Sequence, residues 1–107
     1  MSINLLEETK TAILDCKKKI KDISFIGSFN KKKKNLQFCS WKQFEKIANI
    51  EYEEGYGGNK ISLELVIVFK DETWLKREEY DGLERWKFFS IPTKEGREKG
   101  DINIFEN

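Results

Sequence analysis

Residues 60–90 leave the chain little choice of fold. Ile61, Leu63, Leu65, Ile67 and Phe69 recur at every second position, the period of a β-strand, and Val66 and Val68 make part of the opposite side apolar too. A strand apolar on both sides needs cover on both, at least at one end. Asp71 and Glu72 then turn the chain, and Asp81-Gly82 turns it again. Asp-Gly accepts the two positive φ angles of a type I′ turn, the two-residue connection whose twist suits a hairpin. That turn fixes a register in which Tyr80 faces Leu83, Glu78 faces Arg85, Arg77 faces Trp86, Leu75 faces Phe88 and Trp74 faces Phe89. The pairs comprise contacts between apolar residues, one ion pair and one cation–π pair, against like charges at Lys76/Lys87 and Glu79/Glu84. Residues 51–92 thus read as an antiparallel meander on which the rest packs.

The preceding half supplies two helices and a hairpin. In residues 2–22, Leu6, Ile13 and Ile20 recur at seven, with Leu5, Ala12, Cys16 and Ile23 on the same side, which predicts one long helix capped by Ser2. Glu7 and Glu8 early and Lys17, Lys18, Lys19 and Lys21 late suit its dipole. Residues 23–29 read as a strand, with Gly27 marking a bulge or a close backbone approach. Lys31, Lys32, Lys33 and Lys34 form the tip of a hairpin returning through residues 36–39. Ser40 and Gln43 make a capping box for a short helix burying Trp41, Phe44, Ile47 and Ala48. A brief strand follows at 50–53, then a loop of Gly55, Tyr56, Gly57, Gly58 and Asn59. Beyond Pro92 the tail is polar, but Ile102, Ile104 and Phe105 predict that its end docks on the body as an edge strand.

The expectation is a single α+β domain over residues 1–107, with an antiparallel sheet of about five strands, hairpin plus meander. The sheet packs against one long N-terminal helix and one short helix. No apolar run approaches the roughly 20 residues that span a bilayer, and no charged-then-apolar leader opens the chain, so a cytoplasmic protein without a membrane partner is expected. Cys16 and Cys39 read as free thiols. Net charge is only +1 but uneven: residues 1–50 carry 11 Lys against 5 Asp and Glu, residues 51–107 carry 9 Lys and Arg against 14. The two halves either attract each other within the fold or present a basic and an acidic face.

The residues W-L-x-R-x-E-Y-D-G (Trp74, Leu75, Arg77, Glu79, Tyr80, Asp81, Gly82), preceded by Y-E-E-G-Y-G-G and L-V-I-V-F, resemble small hypothetical proteins of bacteriophages and integrated mobile elements. The likeness covers roughly residues 50–90, and Arg85-Trp86 stands where those proteins often carry two tryptophans. The resemblance implies a mobile-element setting and carries over no activity or functional residue.

The chain has no histidine, which removes the commonest general base, the serine and cysteine triads and most zinc sites. The glycine loop lacks the spacing of a phosphate-binding fingerprint. Carboxylates gather at Glu51, Glu53 and Glu54 and again at Glu78, Glu79, Asp81 and Glu84. A carboxylate enzyme or cation site is the third choice, and no enzyme, metal or cofactor is expected. The leading expectation is an accessory protein that binds a host protein or ribonucleoprotein stoichiometrically and inhibits a host defence factor, in the manner of an anti-CRISPR. Tyr56, Glu78, Asp81 and Glu84 are the candidate partner-binding residues. The alternative is a nucleic-acid-binding protein whose Lys17, Lys18, Lys21, Lys31, Lys32, Lys33 and Lys34 contact phosphates.

Overall fold

The computed structural model describes residues 2–53, 61–92 and 97–105. The elements run β1 (Ser2–Asn4), α1 (Leu5–Asp15), a single 3-10 turn (Ile20–Asp22), β2 (Ile23–Asn30), β3 (Asn35–Cys39), α2 (Trp41–Ala48), β4 (Glu51–Glu53), β5 (Leu65–Phe69), β6 (Trp74–Tyr80) and β7 (Leu83–Phe89). β3, β2, β5, β6 and β7 form an antiparallel five-stranded sheet in that order, and β1 pairs with β4 in a separate two-stranded sheet. The fold is α+β, as the alternation and turns predict.

The Asp-Gly hairpin has the expected register at every pair from Tyr80↔Leu83 to Trp74↔Phe89. Asp81 (φ 51°) and Gly82 (φ 82°) both take the positive angles of the type I′ turn. β5 is the middle strand, but only Leu65–Phe69 is strand. Ser62 diverts the chain before it: its Oγ accepts from the Glu64 amide (3.1 Å) and its carbonyl from the Leu65 amide (3.2 Å). The helices cover the sheet side that carries Ile26, Ile67, Leu75, Arg77 and Trp86, where the core lies with Leu5, Leu6, Ile13, Phe44, Ala48 and Tyr52. Burying an Ile or Phe such as Ile13, Ile67 or Phe69 contributes about 1.5–3 kcal/mol before entropy is counted. Gly27 marks the close approach rather than the bulge. A Cβ there would lie 3.1 Å from the Gln37 carbonyl oxygen, and the register shift of β2 falls between Ile23 and Phe25.

Three expectations fail, each for a local reason. The first helix is eleven residues long, not a span of 2–22. Asn4, not Ser2, caps it by accepting from the Glu7 amide (3.0 Å), while Ser2 pairs with Glu53 in the small sheet. It ends in a Schellman closure, with the Lys17 amide donating to the Leu14 carbonyl (2.9 Å) and the Lys18 amide to Ile13 (3.0 Å). The apolar repeat beyond Cys16 has no core to face from a helix: Ile20 is exposed, and Ile23 is buried from β2 instead. Ile47 is exposed on α2, where Phe44 and Ala48 supply the buried face. The tail makes no strand over residues 97–105, and Ile102, Ile104 and Phe105 stand exposed.

The Schellman closure places Lys17 at φ 63°, a left-handed conformation that costs a residue with a Cβ roughly 1 kcal/mol. Lys17→Gly relieves that strain and gives back part of it as unfolded-chain entropy. A net stabilisation of about 0.5 kcal/mol is expected, read as a higher urea midpoint at unchanged slope. A lower midpoint would contradict this account of the helix end.

Candidate functional site

Because β2, β5, β6 and β7 alternate in direction, Asn30, Leu65, Tyr80 and Leu83 all lie at one end of the sheet. The 31–34 loop and the Asp81-Gly82 turn therefore share that end. β2 and β6 are separated there only by β5, two strand spacings or roughly 10 Å. Basic and acidic residues thus meet at that end, as attraction between the two halves of the chain would have it. The loop is ordered from within: Asn30 Oδ1 accepts from the amides of Lys32 (3.0 Å) and Lys33 (3.1 Å), and Lys34 takes φ 55°.

On the turn, Tyr80 is 74% exposed and its cross-strand partner Leu83 is 55% exposed. The register sets this pair on the sheet side away from the helices, with Glu78 and Arg85 behind it. Glu78 accepts from Arg85 Nε at 2.6 Å and lies 3.8 Å from Lys87 Nζ. Exposed Asp81 follows at the turn, while exposed Glu79 lies on the other side of the sheet, across from Glu84. An aromatic and an aliphatic side chain held by a hairpin, with the Glu78–Arg85 ion pair beside them, suit a polar-rimmed contact.

Glu84 departs from this group. It is 3% exposed and turned inward, where Oε1 accepts from the Ile61 amide (3.1 Å) and lies 3.9 Å from Arg77 Nη2. Arg77 is itself 1% exposed. Its Nη1 lies 3.1 Å from Glu8 Oε1, its Nη2 donates to the Tyr52 hydroxyl (3.1 Å), and the guanidinium sits 5.2 Å from the Trp86 ring and 5.6 Å from the Tyr52 ring. Tyr52 donates to Glu8 (2.6 Å), and Trp86 Nε1 donates to Thr9 Oγ1 (3.1 Å). Burial pushes the Tyr52 phenol up to about 12; the Glu8 bond acts with it and Arg77 against it. A buried Arg must be paired, so the carboxylate the hairpin cannot leave unmatched serves the interior rather than a partner.

The seven lysines of the nucleic-acid expectation fall into two groups. Lys17, Lys18 and Lys21 lie where β2 begins, and Lys31, Lys32, Lys33 and Lys34 where it ends, eight residues or roughly 26 Å away. Among the described residues two are engaged: Lys18 with Asp71, and Lys31 with Glu64 at 3.8 Å. Tyr56 lies outside the described residues. Among the described residues no group of three or more acidic or thiol side chains is placed to hold a metal ion, and no helix is long and apolar enough to cross a membrane. Cys16 and Cys39 are free, half-buried thiols, both pushed up by burial.

Sequence reasoning missed Tyr80 and Leu83 as a surface pair, although the register it derived already put them on the side away from Arg77 and Trp86. It missed the Arg77 network because nothing local links Glu8, Tyr52 and Arg77. No family model matches this chain, and neither the curated proteins nor the solved structures provide a match.

The Lys18 hydrogen bond, with those from Thr73, holds the exposed Asp71 carboxyl down at about 2. A carboxyl depressed in the folded state stabilises fully above its unfolded value, near 3.8, and that contribution is lost as pH falls towards 2. Thermal melts between pH 5 and 2 should therefore fall less steeply for Asp71→Asn than for the parent chain. Parallel curves would show the pair to be without effect.

Proposed function

We propose that this chain is a binding protein that acts by occupying a protein partner one to one, with the β6–β7 turn as its contact. Exposure of the Tyr80–Leu83 pair at the end of the hairpin, between the Glu78–Arg85 ion pair and Asp81, is the observation that carries this reading. Glu78 and Asp81 remain in the proposed contact, and Glu84 supports it from the interior through Arg77. The neighbouring lysine loop gives the same end of the sheet both signs of charge, which favours a patterned protein surface over a uniform phosphate backbone. The resemblance to phage and mobile-element proteins supports a host factor as the partner, with inhibition of a CRISPR-type defence complex as the role. The division of the lysines between two ends of β2 counts against nucleic acid as the main ligand.

The test is affinity capture from nuclease-treated bacterial lysate with the parent chain, with Tyr80→Ala/Leu83→Asp and with Lys32, Lys33 and Lys34 replaced by Ala. A partner held at one equivalent should survive the nuclease, lose at least tenfold in affinity with the turn variant, and keep most of it with the lysine variant. Recovery that vanishes with nuclease, or with the lysine variant alone, would overturn the reading.

A further inference from the structure

We propose that the tail at residues 101–105 of one copy adds as a strand to the β3 edge of a second copy, and that two chains exchange tails to form a closed dimer. This goes beyond the proposed host contact and uses the opposite edge of the sheet.

The two edge strands are unlike. β7 carries Glu84, Arg85 and Lys87, charges that keep a foreign strand away. β3 is N-L-Q-F-C, with no charge, no proline and no register shift against β2. Its unpaired backbone groups are a template for one more strand. Both sides of that edge are apolar. Phe38 is 72% exposed, and Leu36 and Phe29 are exposed on the same side of the sheet. On the opposite side a groove of about 320 Å³ opens between the hairpin and α2, lined by Gln37, Cys39, Phe44, Ile47, Ala48 and Leu65. Ile47, wasted on α2 as a core residue, stands on its wall.

The tail has the matching pattern. In D-I-N-I-F, Ile102 and Ile104 alternate onto one side of an extended strand, and Phe105 falls on the other. With the two isoleucines in the groove, Phe105 meets Phe38 and Leu36. Run parallel to β3, the segment brings Asp101 beside the 31–34 loop, where Lys32, Lys33 and Lys34 make no ion pair among the described residues. Among the described residues this match is not made within one chain: Ile102 is 86% exposed, Ile104 and Phe105 are 78% exposed, and β3 is an edge strand of the sheet. A second copy supplies what each half lacks, and reciprocal exchange closes the pair about a two-fold axis instead of propagating a filament.

The test is sedimentation equilibrium of the full chain across a wide concentration range, with Ile102→Lys/Ile104→Lys and with Phe38→Lys. The parent chain should reach a dimer. Because all three side chains are exposed, the variants should keep the parent's circular dichroism. Each should raise the dimer dissociation constant by about tenfold or more, the worth of one buried aliphatic side chain. A parent chain that stays monomeric, or a dimer that the tail variant leaves intact, would overturn the proposal.

Discussion

A guanidinium enclosed in a core this small has to be neutralised where it stands, and Arg77 sets the terms for everything packed around it. Taking the charge out of water costs several kcal/mol, recovered only if acceptors and aromatic faces converge on it. Here they come from three places distant in sequence: Glu8 on α1, Tyr52 on β4 and Glu84 with Trp86 on β7. The charge is neutralised although Arg77 Nε and Nη1 and Glu84 Oε2 make no hydrogen bond among the described residues, and the cluster does more than pair one side chain. It locks the helix and the small sheet onto the meander at a fixed place, with Trp86 tied in turn to Thr9.

That lock has a consequence at the surface. By drawing Glu84 inward, Arg77 resolves the clash of Glu79 and Glu84 across the hairpin and leaves Glu79 outside. The opposite side of the same two strands then shows Tyr80 and Leu83. A two-residue turn has little freedom of its own, so the presentation of this pair is inherited from the buried side of the hairpin. Anchoring an exposed contact to a rigid interior lowers the ordering cost of binding.

Local chemistry was readable wherever it determined structure alone. Asp81-Gly82 fixed a seven-pair register, Ser40 and Gln43 a helix start, and the alternation through Ile67 the middle strand. Reading failed where a pattern continued past the structure it belonged to. The seven-residue repeat runs on to Ile20, but Lys17 breaks the helix in a left-handed conformation that its sequence does not advertise. The strand alternation begins at Ile61, but Ser62 diverts it. The candidate site was half legible: Glu78 lies on β6 and Asp81 on the turn, both outside, whereas the fate of Glu84 depended on a partner that only the fold brings near. The separation of the two lysine groups was not legible for a related reason, since adjacency in sequence hides the length of the strand between them.

The most direct test of this account is the unfolding free energy of Arg77→Met, alone and combined with Glu84→Gln. Removing Arg77 alone leaves Glu84 buried without its cation and should cost about 3–5 kcal/mol. Neutralising Glu84 as well should restore a substantial part, since an interior without the charges no longer carries their desolvation cost. A single change costing under about 1 kcal/mol, or a double change costing the sum of the two singles, would mean that the buried pair is not what holds the layers together.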